Sequence, residues 1–286
     1  MQLNVHLPFS YYMTEDLQNQ APLFQPENAL VEAYRDALLR EICSLGADLE
    51  DCTIDSVFFR GGYMSLLDPT SFAQVMAGIH RSFHLARDVQ VSGVLFPGSL
   101  NMALASEYRN HHVRTLIFET PSLLARECEK LRLPNVLQAL DQTLYFMQNF
   151  QLPGFSLRLP IGISGRDEGI WTHILGQIRH YQPESIAFFP LRAEIEEHPM
   201  FLATCQSLLK EGYVSPAPLL LTRSVEPKWV RYLAADDEVL GVGLGAQTRA
   251  EGFKTRNTTD LQRYLKYSGD YRQLITSVEE IQPNAL

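Results

Sequence analysis

Patterns typical of helices and strands alternate along most of this chain. Apolar residues at helical spacing predict helices over residues 28–45, 69–87, 99–110, 121–131, 135–150, 168–181 and 198–212. Short apolar runs between them predict strands over residues 3–7, 56–59, 89–95, 113–118, 154–160 and 185–189. This alternation predicts an α/β fold with a parallel sheet wrapped by helices, either a barrel or an open doubly wound sheet.

The first strand has the simplest pattern. The apolar side chains of residues 3, 5 and 7 alternate with Asn4 and His6, which is typical of a half-buried strand. Pro8 has no N–H to give to a sheet, so we expect the strand to end there and a loop to follow.

Composition limits the classes of function. The 286 residues are 45% hydrophobic, enough for one large domain or two smaller ones. The net charge is −9 and no run of Lys and Arg is present, which argues against a nucleic-acid partner. No apolar stretch approaches the roughly 20 residues of a membrane helix, and no signal-peptide pattern opens the chain. We therefore expect a cytoplasmic protein without a membrane partner.

Several residues suggest chemistry that their spacing does not support. The cysteines, Cys43, Cys52, Cys128 and Cys205, are single and widely spaced, so we expect small buried hydrophobes in a reducing compartment rather than metal ligands.

Three further patterns favour structural roles. His80 and His84 are four residues apart on a predicted helix but have no third metal ligand nearby, so a solvated face is expected. Residues 162–165 lack the last glycine of a G-x-S-x-G motif, and residues 241–245 lack the spacing of G-x-G-x-x-G.

The loop after the first strand resembles the opening of a known family. Residues 6–9, His-Leu-Pro-Phe, match the pattern before Cys-x3-Cys-x2-Cys in oxygen-independent coproporphyrinogen III oxidases and their haem-chaperone-like relatives, a branch of the radical S-adenosylmethionine (SAM) superfamily. The three cysteine positions here read Ser10, Thr14 and Leu17, which supply no thiolate for an iron–sulfur cluster. The resemblance therefore implies a degenerate member without a 4Fe-4S cluster and without metal ligands.

The resemblance continues with altered residues. Residues 55–67 resemble the family's strand before Gly-Gly-Gly-Thr-Pro-Ser-Leu-Leu, where the glycine backbone lies against SAM. Here Arg60 replaces the first glycine, and Tyr63 and Met64 replace Thr-Pro. Bulk therefore stands where the family keeps space.

Polar SAM contacts of the family are also replaced. In the segments that resemble the family's later strands, Val94 stands at an acidic position, Thr115 at an arginine and Arg158 at an aspartate. The tail over residues 241–246, with Asn257 and Tyr264 beyond it, is similar to the family's Leu-Gly-x-Gly-x-Gly-Ala region.

The resemblance covers residues 3–267 and implies a fold. That fold is a partial (β/α)6 barrel of the radical SAM type with a short C-terminal extension. We expect the barrel over residues 1–215 and a C-terminal segment covering its mouth over residues 216–286.

Aligned strand ends would bring candidate site residues together. The candidate catalytic residues are Arg60, Arg158, Glu119 and His6. The candidate cofactor-binding residues are Gly61, Gly62, Tyr63, Phe96, Tyr11 and Tyr12. With Arg166, two or more arginines in one mouth would bind a carboxylate or phosphate. Alternatively, each arginine fills vacated cofactor space and pairs with an acid such as Glu119.

Three functions stay open at this point. The first is a pseudoenzyme that binds a small molecule, a tetrapyrrole such as haem or a SAM-like compound, or a partner protein, without radical chemistry. The second is an enzyme that uses the vacated pocket for polar chemistry on SAM or another charged substrate. The third is a structural subunit beside an intact paralogue.

Overall fold

The computed structural model describes residues 1–10, 15–16, 21–49, 52–130, 136–161, 163, 166–190, 199–223, 228–229 and 238–281. The strands of these residues are β1 (Gln2–Leu7), β2 (Glu15–Asp16), β3 (Ala21–Pro22), β4 (Thr53–Gly61), β5 (His84–Leu95), β6 (Val113–Glu119), β7 (Phe155–Ile161), β8 (Ser185–Pro190), β9 (Val214–Ala217), β10 (Leu220–Thr222), β11 (Val239–Val242), β12 (Gln247–Ala250), β13 (Phe253–Asn257) and β14 (Ile275–Glu280).

Helices follow most of the parallel strands. They are α1 (Asn28–Gly46), α2 (Pro69–Ser82), α3 (Met102–Asn110), α4 (Ala125–Lys130), α5 (Val136–Asn149), α6 (Glu168–Tyr181), α7 (Pro199–Lys210) and α8 (Leu261–Tyr267), with short 3-10 helices at Met64–Leu66 and Tyr271–Leu274. Strand and helix therefore alternate from β1 to α7, as the sequence predicts. No helix in the described part of the chain is long and apolar enough to cross a membrane.

The chain divides into two compact units. Unit 1 comprises Met1–Val94, Met102–Arg114 and Lys228–Leu286, and unit 2 comprises Leu95–Asn101 and Thr115–Pro227. The predicted boundary after residue 215 differs from this division, because it lies inside β9. Residues 228–286 group with the N-terminal strands since β11 pairs with β1. That residues 216–286 cover a barrel mouth stays a prediction.

Unit 1 is built on parallel strands. β11, β1, β4 and β5 pair in that order and all run parallel. β12, β13 and β14 then add to β11 as antiparallel neighbours. The sequence pattern predicted the glycine-dense turns of this tail and its helix, but not its three antiparallel strands.

β1 is the central strand of unit 1, and it is buried along its whole length. The expectation of a half-buried strand is therefore wrong, since Asn4 is 5% exposed and His6 is 1% exposed. Both edges of β1 pair with parallel strands, and such strands have both faces covered. Among its polar side chains, Gln2 Nε2 donates a hydrogen bond to Asn4 Oδ1 over 2.7 Å. The strand ends before Pro8, as predicted.

α2 is shorter than its sequence pattern suggests. It ends at Ser82, and Phe83 is extended with φ −135° and ψ 149°. β5 then begins at His84, which pairs with Thr53 of β4. The expectation that His80 and His84 share a helix face is thus wrong, because only His80 lies on the helix.

Unit 2 holds a second set of parallel strands. β6, β7 and β8 pair in that order, and β10 and β9 add antiparallel to β8. Each strand brings a polar or charged residue to its carboxyl end or middle: Glu119 ends β6, and Arg158 lies opposite it in β7. This register positions the first part of the candidate site.

Candidate functional site

The end of β1 lies beside the end of β4 in unit 1. His6 and Arg60 are register partners across this strand pair, and both are buried. Gly61 has a φ of +91°, and a Cβ there would lie 2.4 Å from His6 Nε2. Only glycine fits this position, because the conformation and the imidazole ring both exclude a larger side chain. The structure thus brings His6, Arg60 and Gly61 together.

Gly62 packs against the chain's own loop. A Cβ on Gly62 would lie 1.8 Å from the Phe9 carbonyl oxygen. The Gly62 N–H donates to the Leu7 carbonyl over 2.6 Å, and the Tyr63 N–H donates to the Phe9 carbonyl over 3.0 Å. The glycine turn is therefore hydrogen-bonded to the residues that follow β1.

The bulky residues after the glycine turn are buried in unit 1. Tyr63 is 3% exposed and Met64 is fully buried. A Cβ on Gly93 of β5 would lie 2.3 Å from Met64 Sδ, so this thioether fills the space above that glycine. Methionine suits such irregular gaps because its side chain is unbranched and flexible.

Glu119 and Arg158 form an ion pair in unit 2. Arg158 Nη1 donates to Glu119 Oε2 over 2.6 Å, and their side chains are 14% and 6% exposed. The Arg158 guanidinium also lies 4.6 Å from the centre of the Phe189 ring. Opposite charges at this distance and burial hold each other in place.

Arg166 pairs with a different acid. Its Nε and Nη2 donate to the two carboxylate oxygens of Glu127, over 3.2 and 3.0 Å, and Nη1 donates to the Pro160 carbonyl over 2.8 Å. Burial acts to raise the pKa of Glu127, but the hydrogen bonds from Arg166 and Ser122 and the arginine charge outweigh it and lower this pKa. The guanidinium lies 5.4 Å from the Trp171 ring centre.

Phe96 lies in a tight turn of unit 2. Its carbonyl accepts hydrogen bonds from the Ser99 N–H and hydroxyl, and Gly98 has a φ of +87°. The Gly98 N–H donates to Thr143 Oγ1 over 2.8 Å. Tyr11 and Tyr12 lie outside the described residues, so their predicted binding role stays a prediction.

The positions that hold the cluster cysteines in the resembling family do not supply matching donors. Ser10 is 1% exposed, and its N–H donates to the Phe24 carbonyl over 3.0 Å. Thr14 and Leu17 lie outside the described residues. A hydroxyl or an isobutyl group does not fit an iron–sulfur cluster, whose ligands are thiolates. Within the described residues, no group of three or more His, Cys, Asp or Glu side chains could hold a metal ion.

The four cysteines differ in burial. Cys128 is buried, as expected, and Cys52 and Cys205 are partly buried. Cys43 is exposed, so the expectation of burial is wrong there. The buried face of α1 carries Leu38 and Ile42, and position 43 falls outside it.

Two acidic residues were not selected from the sequence. Glu127 carries no motif, and its pairing with Arg166 joins residues 39 apart along the chain. Glu41 did carry a signal, because it is an acidic residue at an apolar position of the α1 pattern and is buried. A charged residue on the apolar face of a helix needs a polar partner from another element.

No protein-family model matches this chain, and no curated protein sequence matches it. Its fold is nevertheless that of the radical SAM enzymes among the solved structures, which confirms the predicted fold class, a partial (β/α)6 barrel of the radical SAM type. The coproporphyrinogen III oxidase (HemN) of Escherichia coli, a radical SAM enzyme, matches with a TM-score of 0.83 and 14% identity, over 98% of this chain and 72% of that one.

A second solved structure is less similar. The protein anSMEcpe with bound AdoMet and Kp18Cys peptide matches with a TM-score of 0.50 and 9% identity, over 74% of this chain and 60% of that one. At these identities, both likenesses show the fold alone.

Proposed function

We propose that this chain is a radical-SAM-like protein that holds no 4Fe-4S cluster and that acts by binding a small molecule or a partner protein. The single observation that carries the proposal is the donor set at residues 10, 14 and 17, which read serine, threonine and leucine. Thiolates bind such clusters and these side chains do not. Radical chemistry that depends on a cluster at this loop is therefore not expected.

The packing of the glycine turn supports the same proposal. Gly62 contacts the Phe9 carbonyl, and Met64 fills the space above Gly93. Side chains and backbone of this chain thus occupy room at the ends of β4 and β5. The Glu119–Arg158 ion pair also supports it, because each charge already has an opposite charge within 2.6 Å.

Anaerobic reconstitution with ferrous iron and sulfide tests the loss of the cluster. We expect substoichiometric iron and no visible charge-transfer absorption. The matched control is the triple variant Ser10→Cys, Thr14→Cys, Leu17→Cys, which restores the thiol donors and shows whether the assay can load a cluster on this fold. Stoichiometric iron with a brown colour in the unmodified chain would refute the proposal.

Calorimetric titration with haemin and with SAM separates the ligand classes. Saturable binding of haemin alone supports the first function, with a tetrapyrrole ligand suggested by analogy of fold. Saturable SAM binding that Arg158→Gln weakens supports the alternative, an enzyme of polar chemistry with Arg60, Arg158, Glu119 and His6 as participants. Binding of neither compound favours a partner protein, which co-purification from cells would then identify.

A further inference from the structure

A buried carboxyl group connects α1 with the C-terminal residues of unit 1. Glu41 is 1% exposed. Its Oε2 accepts hydrogen bonds from the Gly243 N–H over 2.8 Å and from the Tyr264 hydroxyl over 2.6 Å, and its Oε1 accepts one from Asn257 Nδ2 over 2.6 Å. The donors belong to the loop after β11, to α8 and to β13. One side chain thus holds three parts of residues 238–281, the C-terminal segment.

Tyr34 extends this cluster to β1. Its ring stacks on Tyr264 with the ring centres 5.1 Å apart. Its hydroxyl donates to the His6 carbonyl over 2.7 Å and accepts a hydrogen bond from the Leu244 N–H over 2.9 Å. Gly243, with a φ of +110°, lies so close that a Cβ would be 2.4 Å from the His6 carbonyl oxygen. The Glu41 cluster therefore also fixes the end of β1.

No Lys or Arg forms an ion pair with Glu41 in the described parts of unit 1. Arg40, its neighbour on α1, instead donates to Ser268 Oγ and to the Leu265 carbonyl. The titratable groups that face Glu41 are Tyr34 from α1 and Tyr264 from α8. β13 contributes the neutral Asn257 amide, and the loop after β11 and the end of β1 contribute backbone groups only.

We propose that Glu41 is a proton-dependent latch that holds the C-terminal segment to α1 and to the end of β1. With its proton, the carboxyl group is uncharged and its burial costs little. Without the proton, a negative charge stays buried with hydrogen-bond donors but no cation, so opening of the segment, which hydrates the carboxylate, becomes easier. Because Tyr34 joins the same cluster to the His6 carbonyl, this opening also releases the strand end that carries His6.

The pKa values agree with this direction. Burial raises the pKa of Glu41 to about 7, and the hydrogen bonds from Tyr264, Gly243 and Asn257 only partly offset it. Burial also raises the pKa values of Tyr34 and Tyr264, so both hydroxyl groups keep their protons. Since the folded pKa of Glu41 lies above the ordinary value of 4.5, the stabilisation is complete below the ordinary value and is lost as the pH rises through about 7.

Hydrogen exchange measured at about pH 5.5 and about pH 8.5, corrected for the intrinsic pH dependence of exchange, tests the latch. We expect the opening constants of amides in β11, β13 and α8 to rise by about 30-fold between the two conditions, from the two pKa values of Glu41. Amides in β7 and β8 of unit 2 should change far less. An unchanged C-terminal segment, or a rise of equal size in β7 and β8, would overturn the proposal.

Variants assign the effect to the carboxyl group. Glu41→Gln should remove the pH dependence, whereas Glu32→Gln, an exposed position on the same helix, should retain it. Tyr264→Phe removes one donor to the ionised carboxylate and should move the midpoint to higher pH. This second variant decides the question if Glu41→Gln does not fold, since an unmoved midpoint in Tyr264→Phe would contradict the latch. A pH dependence retained by folded Glu41→Gln would contradict it equally.

Discussion

At the scale of single residues, Gly62 shows how close backbone approach constrains this chain. A side chain at this position would meet the Phe9 carbonyl oxygen at 1.8 Å, and that carbonyl is fixed by the Tyr63 N–H. Backbone on both sides cannot move as a flexible side chain does. The glycine is therefore required by packing within unit 1, whether or not a ligand approaches it.

Substitution Gly62→Ala should lower the free energy of unfolding by about 2–3 kcal/mol, because the added methyl group overpacks a buried contact. Urea denaturation measures the change. The matched control is Gly176→Ala in α6, where a Cβ would have no atom within 4 Å, and this change should stabilise the chain by about 0.5–1 kcal/mol. Equal effects of the two substitutions would contradict the packing argument.

The Glu119–Arg158 pair makes a second prediction at this scale. Arg158→Met leaves the 6% exposed Glu119 side chain without its ion-pair partner and should cost about 3 kcal/mol. The double variant Glu119→Leu, Arg158→Met should recover most of that loss, because no charge then stays buried alone. A double-mutant cycle by denaturation measures the coupling, and additive losses would mean that the pair does not stabilise unit 2.

At the scale of elements, helix ends are set by local side chains. Asp68 precedes α2 and accepts hydrogen bonds from the Thr70 and Ser71 N–H groups over 2.9 and 3.1 Å, and Pro69 begins the helix. Both features are typical helix starts. Burial acts to raise the pKa of Asp68, but hydrogen bonds from Ser71 and Thr70 and the charge of Arg35 lower it overall.

Asp68→Ala should destabilise the chain by about 1 kcal/mol at neutral pH through loss of the cap. The Asp68 pKa is lowered in the folded state, so its contribution is present above the ordinary pKa and is lost as the pH falls through the folded pKa. Asp68→Asn is the control, because asparagine keeps the cap without the charge. Thermal unfolding across acidic pH should show the acid dependence in the unmodified chain and a weaker one in Asp68→Asn.

At the scale of the whole molecule, charge limits the partners. The chain carries 33 acidic and 24 basic side chains among its 286 residues. A net charge of −9 repels a polyanion, and counterion release needs clustered basic groups. We expect no change in the fluorescence anisotropy of labelled single-stranded RNA or DNA at physiological ionic strength. A saturable rise that weakens with added salt would contradict this expectation.

Much of the fold follows from patterns within short stretches of sequence. Periodicity located the helices of both units and the strands from β1 to β8, with errors at boundaries such as the end of α2 at Ser82. Propagating a helix or strand pattern is a local matter, and a boundary is decided by which residue first joins a sheet. His84 left the helix because Thr53 of β4 offered it a partner.

The sequence by itself determined the alternation of strand and helix, the negative charge, and the side chains at residues 10, 14 and 17. Only the tertiary structure decided that Glu119 takes Arg158, that Arg166 takes Glu127, and that Glu41 meets Asn257 from 216 residues away. The physical reason is that periodicity reports which face of an element is apolar, whereas the partner of a buried charge depends on which distant elements pack against that face.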